Sequence, residues 1–405
     1  MADIEIEKGN WTVNTEHSSF DHPGWLIDFK EICDKDPDVW DRHKNEPHVS
    51  FEAYKRRCYL SHGEQVRKKI RIYLDLRYWI YCRDAFLGKP QKPVHNSIWM
   101  RLSDLVESGL VVCPISYPVV SEIFKQRDLV RRGAIAEVAD RLSGNVAIRP
   151  PHELWPTEVH HFLLSKLPSK EVYPLDQLAW TFPTWWLGEA MPHFPELDEA
   201  TNCLMKKAYF DSIKECPLSI TIKALSASSW PKPADTNEYY DNVNAQCRAH
   251  RHEITDFHSA FMTEIAGLLD CMEAEIEEIS KAMYESEYGH PPPPSECTNE
   301  DGHHLFTRLI YNAFRLKRIT TEIPYLHINA GIHGALRHRR QPFKNGDYWD
   351  HLHAYPAIAY CQAFFVETSL GHLVSNRPLE LNHAYGCSVL WNEDEVLKYL
   401  MSIGK

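Results

Sequence analysis

Four carboxylates stand out by where they fall. Asp75 closes the apolar run Ile72-Tyr73-Leu74-Asp75-Leu76, and Glu367 closes Ala363-Phe364-Phe365-Val366-Glu367. Glu122 follows the run Leu110-Val111-Val112-Cys113-Pro114-Ile115 by one to two helical turns, and Asp350 sits in helical text ahead of the Glu367 run. The carboxyl ends of parallel strands face a shared crevice, where sheets of that kind place their sites. Carboxylates gathered there repel one another, and a hard divalent cation with a preference for oxygen, Mg²⁺ or Mn²⁺, is the natural compensation. Such an ion lowers the pKa of its bound water, orients a phosphate oxygen and stabilises charge developing in the transition state, so the expected chemistry is phosphodiester hydrolysis. Asp75 is the first candidate ligand and Asp350 the second, with Glu122 and Glu367 completing the shell or holding its waters. Singly, each acid has a plainer reading: Asp75 as a turn or cap, Glu122 as a solvated helix acid. The hypothesis lives on the set and its order.

The elements that would position these acids follow from local patterning. After the Ile72–Leu76 strand, Trp79, Ile80, Cys82 and Phe86 mark one face of a helix that Gly88 and Pro90 stop. Ile98 to Ser108 reads as a second helix, Leu110 to Ile115 as a buried strand, and Ser116 with Pro118 opens the helix carrying Glu122. Strand, helix, helix, strand, helix is the order of an α/β fold with a parallel sheet covered by helices. The pattern resumes late, with a helix over Asp347–Tyr360, a strand ending at Glu367, a short helix over Thr368–Val374 and a strand at Cys387–Leu390. Asn392 then caps a terminal helix, Asp394–Met401, with acids in its first turn.

Between these halves the rhythm changes. Ile254, Phe257, Phe261, Ile265, Leu268, Met272, Ile276, Ile279 and Met283 recur at steps of three or four, which predicts one long amphipathic helix over 245–288. The prolines at 291–294 end it, and Leu305 to Ile319 returns antiparallel. The expected organisation is an irregular N-terminal extension with a basic helix (1–70), the first part of the sheet domain (71–150), a mainly helical insertion (151–340) and the second part of the sheet domain (341–405). The apolar stripe of the insertion could pack within the chain, form a dimer or seat a partner protein.

Ile72-Tyr73-Leu74-Asp75-Leu76-Arg77-Tyr78-Trp79-Ile80, the run from Leu110 to Ser121-Glu122-Ile123, and Asp347-Tyr348-Trp349-Asp350-His351-Leu352-His353 continuing through Tyr360 to Thr368 together resemble the PIN-like nucleases. The resemblance covers about residues 70–150 and 340–402. It implies a PIN-like parallel sheet flanked by helices and a metal-dependent ribonuclease, toxin-like or defence-associated forms included. Carried over by position, its acids are Asp75, Glu122, Asp350 and Glu367, with Asp347 as a fifth or a substitute for Asp350. It also favours single-stranded RNA as substrate, where patterning alone leaves RNA and DNA open. Arg77 stands where the family often has a small polar residue such as Asn, Gln362 where relatives often have Asp, and Val366-Glu367 replaces a common Thr-Asp pair. A catalytically weakened PIN-like protein, acting as an interaction or regulatory module, is the alternative reading.

Composition sets outer bounds. The 405 residues carry 56 Asp plus Glu against 44 Lys plus Arg, which excludes a uniformly basic nucleic-acid coat but leaves room for local basic runs. Such runs flank the acidic motifs: Arg127, Arg131 and Arg132 follow Glu122, and Arg337, His338, Arg339 and Arg340 precede Asp347. With Arg77 and the basic Phe51–Ile70 segment they could hold phosphates around the acids, and His353 could pack beside the acids or touch substrate. Other His groups, His250-Arg251-His252-Glu253 with His258, and His303-His304, lack a metal-ligand spacing and read as solvated or locally bonded. Apolar stretches are interrupted well short of about 20 residues, so no membrane span is expected. Eleven Cys without a frame and an acidic N-terminal stretch point to reduced thiols in the cytoplasm. No phosphate-binding P-loop, dinucleotide fingerprint or G-x-S-x-G elbow is present in the sequence.

Overall fold

The computed structural model describes residues 3–7, 10–14, 38–167, 172–183, 191, 193–224, 237–293, 305–344 and 347–404. The chain divides into two compact units, each built from separated stretches. One, here the Asp75 unit, comprises His17–Pro150, Asp176–Pro231 and Asn392–Lys405; the other, the Asp350 unit, comprises Met1–Glu16, Pro151–Leu175 and Lys232–Trp391. The architecture is α/β, with short parallel strands flanked by many helices.

In the Asp75 unit the strand Ile70–Leu74 pairs in parallel with Val111–Val112, Ile70 opposite Val111 and Arg71 opposite Val112. Parallel neighbours need a crossover, and here the helices Leu76–Phe86 and Pro93–Glu107 supply it. Ile72, Tyr73 and Leu74 are buried without remainder, the continuous apolar signature of a strand covered on both faces. The expected strand over Leu110–Ile115 is shorter than its apolar run. Beyond Val112 the backbone donors turn elsewhere: the Cys113 amide donates to the Leu142 carbonyl at 2.9 Å and the Ile115 amide to Val146 at 3.0 Å. Ser50 and Asp128 start the helices Phe51–Arg67 and Leu129–Ser143 by accepting from amides of their first turns. Gly63 lets the first of these lie directly on another backbone, because a Cβ there would come within 1.9 Å of the Gln177 carbonyl oxygen. The helix Glu393–Ser402 closes the unit, held where Arg101 donates to the carbonyls of Leu400 at 3.2 Å and Ile403 at 2.7 Å.

In the Asp350 unit the strands Ala363–Phe365 and Ser388–Leu390 pair in parallel, with Phe364 opposite Val389. The helix Asp347–Tyr360 leads into the first strand and Thr368–Ser375 leads out of it. The remaining helices enclose a core of Val159, Phe162, Ile265, Leu269, Ile276, Ile279, Ile310, Phe314 and Leu326. Gly334 allows the helices Phe257–Cys271 and Pro324–His338 to approach closely, since a Cβ there would sit 3.0 Å from the Phe261 nitrogen.

Two further expectations are corrected. The stripe over 245–288 is not one helix but Asn237–Ala249, a short 3-10 turn at Arg251–Glu253, Phe257–Cys271 and Glu273–Tyr288. A capping box opens the third of these: the Asp256 carboxylate accepts from the Ser259 amide at 2.8 Å, while Ser259 Oγ accepts from the Asp256 amide at 3.1 Å. The apolar period survives the break at Met272 because the helices on either side of it bury residues in the same core. The lead-in is not wholly irregular either: Asp3–Glu7 and Asn10–Asn14 pair antiparallel.

Candidate functional site

Asp75 is the first residue beyond the Ile70–Leu74 strand and the N-cap of the helix Leu76–Phe86. Its extended backbone turns the chain from strand to helix, and its Oδ1 accepts from the Arg77 amide at 2.9 Å. Glu367 takes a similar place in the Asp350 unit, the N-cap of Thr368–Ser375 two residues beyond the strand end at Phe365, exposed and without a side-chain cap bond. Glu122 lies half-buried in the helix Tyr117–Lys125, which Ser116 begins; the Ser116 hydroxyl is hydrogen-bonded to Tyr73 of the neighbouring strand. Burial, opposed by the Glu122 charge, lowers the pKa of Lys125 one turn on. Asp347 and Asp350 both occupy the first turn of Asp347–Tyr360, and the Asp347 carboxylate accepts from the Lys344 amide at 2.8 Å.

Asp75 and Glu122 thus belong to one unit, and Asp347, Asp350 and Glu367 to the other. Among the described residues no group of three or more His, Cys, Asp and Glu side chains is gathered so as to hold a metal ion.

The basic candidates divide sharply. Arg131, Arg339 and Arg340 are exposed; Arg131 pairs loosely with Asp128 at 3.5 Å, and Arg339 donates to the Arg377 carbonyl. Arg132 is buried, its guanidinium over the Phe124 ring. Arg337 is bound to Glu264 at 2.6 Å. His353 is buried. Its neighbour His351 is buried too and hydrogen-bonded to His333 at 3.1 Å; burial, reinforced by His333, pushes its pKa down to about 3. His303 and His304 lie outside the described residues.

Arg77 is engaged most fully. It donates to Tyr81 Oη at 2.6 Å and pairs with Glu393 at 3.1 Å. Lys92 reaches the same carboxylate at 2.7 Å, and the buried His95 lies 3.4 Å from it, its ring stacked on that of Tyr81 with centroids 3.6 Å apart. Burial alone would raise the Glu393 pKa, but the hydrogen bond and charge of Lys92, with His95 close by, overturn it and hold the carboxyl at about 2. The sequence shows Glu393 only as a first-turn helix acid; its partners lie some 300 residues away.

A second cluster gives no local signal at all. Glu158, in the helix Pro151–Leu164, is fully buried. Its Oε1 accepts from the Tyr355 and Tyr360 hydroxyls and its Oε2 from the Tyr325 amide at 2.7 Å. Burial raises its pKa to about 7 against the pull of those donors.

Compared with known proteins, the chain matches no family model, no curated protein and no solved structure. Among the described residues no helix is long and apolar enough to cross a membrane.

Proposed function

We propose that this chain is a PIN-like protein that hydrolyses phosphodiesters of nucleic acid with Mg²⁺ or Mn²⁺ as cofactor, acting on single-stranded RNA in preference to DNA. Its reactive acids are Asp75, Glu122, Asp350 and Glu367, with Asp347 beside them. One observation carries the reading: Asp75 and Glu367 occupy the same local address, the N-cap of a helix that leaves the carboxyl end of a parallel strand. That address is where α/β folds present reactive side chains, and two acids there are hard to attribute to capping alone, since Glu367 makes no cap bond. The exposed Arg131, Arg339 and Arg340 supply positive charge for phosphates.

A second reading, a PIN-like interaction or regulatory module, draws support from a different observation. Metal-ligating side chains are not grouped in threes among the described residues, and Arg77, two positions beyond Asp75, is tied to Glu393. A cleavage screen separates the two. Full-length protein is incubated with labelled single- and double-stranded RNA and DNA in Mn²⁺, Mg²⁺ or EDTA, and retention of each strand is measured in parallel. Hydrolysis predicts cutting of single-stranded RNA in Mn²⁺ that EDTA abolishes. Retention of RNA without cutting supports the module and overturns hydrolysis, and neither cutting nor retention overturns both.

A further inference from the structure

Two neighbouring helices of the Asp350 unit carry opposite charge. Glu273–Tyr288 and Leu305–Arg315 pack against one another. Both bury residues in one core, Ile276 and Ile279 from the first and Ile310 and Phe314 from the second, so their remaining faces look outward side by side. The first helix holds six glutamates and a single cation, Lys281. The second, with the turn that follows it, holds Arg308, Arg315, Lys317 and Arg318, all exposed, and no acid occurs from 305 to 321. We propose that this face docks a second copy of the chain, through a two-fold contact that sets the basic helix of each copy on the acidic helix of the other.

Apolar surface gives the contact something to bury. Leu305, Leu309 and Leu316 are 50%, 46% and 55% exposed and recur at steps of four and seven, so they form one outward row among the cations. The inward row of the same helix is already filled by Thr307, Ile310 and Phe314. Tyr288 adds a ring 63% exposed at the end of the acidic helix.

Charge selects the occupant. The two helices do not neutralise each other. Lys281 pairs within its own helix, with Glu277 at 2.6 Å and Glu278 at 3.5 Å, and among the described residues the four cations make no ion pair with the glutamates beside them. An anionic lipid surface or a nucleic-acid strand would satisfy the cations but be repelled by the carboxylates next door. The complement must be acidic opposite the cations and basic opposite the acids. This surface meets that requirement itself when turned by a two-fold axis, the commonest symmetry of homo-oligomers. Size sets the strength. A helix of 16 residues is about 24 Å long, and a face two helices wide offers roughly 500 Å² per copy, the low end for specific contacts. The dimer is therefore weak, with a Kd of about 10 µM.

The test is sedimentation equilibrium of the full chain up to about 200 µM, at low and high salt, with two charge-reversed variants. One carries Arg308→Glu with Arg315→Glu, the other Glu278→Lys with Glu285→Lys. Wild type is expected to dimerise, more weakly in high salt, and each variant alone to lose about tenfold or more in affinity. Mixed in equal amounts, the two variants should recover the dimer, because each then offers the charge its partner lacks. If either reversed protein fails to fold, Leu309→Arg decides alone: at that exposed position the chain keeps its fold, and the dimer should weaken about tenfold or more. A chain that stays monomeric overturns the proposal, as does a dimer indifferent to these substitutions or folded variants that mixing does not restore. Co-sedimentation of the monomer with phosphatidylserine vesicles, abolished by Arg308→Glu with Arg315→Glu, would assign the face to lipid and overturn it too. None of these measurements reads hydrolysis, so the result stands apart from the cleavage screen.

Discussion

Glu158 and Glu393 are the same residue type, each largely withdrawn from solvent in its own unit, and their pKa values are pushed in opposite directions. Glu158 meets only neutral donors, two phenols and an amide, and burial raises its pKa to about 7. Glu393 meets Lys92, His95 and Arg77 at the start of a helix, and is held at about 2. Burial penalises the anion at both sites. Opposite charge and the positive end of a helix reverse the outcome at one of them, whereas hydrogen bonds from uncharged groups only blunt it at the other. Glu158 is thus a carboxyl that gains and loses its proton near neutral pH, whereas Glu393 stays ionised down to strongly acidic pH.

Replacing Glu158 by Leu strands the Tyr355 and Tyr360 hydroxyls and the Tyr325 amide; at about 1–3 kcal/mol per unsatisfied buried donor, a loss of roughly 4 kcal/mol in urea unfolding is expected. A loss below about 1 kcal/mol would mean the tyrosines find other acceptors. Glu158→Gln keeps an acceptor and instead tests the titration. Because the folded pKa is raised, the stability Glu158 contributes is full below about 4.5 and falls as pH rises through about 7. The Gln variant should flatten that slope, and an unchanged profile would contradict the assigned state.

Glu393→Gln should act with the opposite sign. A depressed pKa gives stability that is present above about 4.5 and lost as pH falls toward 2, so the variant is weaker than wild type at pH 7, by about 1 kcal/mol, and the two converge in acid. Persistence of the gap at low pH would show packing rather than charge at work. Lys92→Ala should give the smallest shift, because that lysine is largely exposed and Arg77 and His95 remain on Glu393. An effect exceeding that of Glu393→Gln would assign the clamp to Lys92 alone.

What the sequence made legible was local. The strand before Asp75, the strand before Glu367 and the Asn392 cap are announced by short runs of residue type, and Asn392 does accept from the Asp394 amide at 2.9 Å. The breaks at Asp256 and Met272 were hidden because periodicity reports which face is apolar, not whether the backbone is continuous. Glu158 was invisible for a different reason: its partners lie 167 to 202 positions away, and a buried carboxyl is indistinguishable in sequence from any helix acid. Arg77 was expected to face phosphate, but its partner Glu393 is 316 positions distant.

Asp75 is proposed to work in hydrolysis rather than merely to start a helix, and Asp75→Asn isolates the two roles. Asparagine caps a helix as well as aspartate does, so the fold is kept while the charge is lost. The decisive measurement is the initial rate of single-stranded RNA cleavage in Mn²⁺ by wild type and Asp75→Asn, with equal unfolding midpoints as the control. A fall of about 100-fold or more is predicted; equal rates, or no cleavage by either protein, would contradict it.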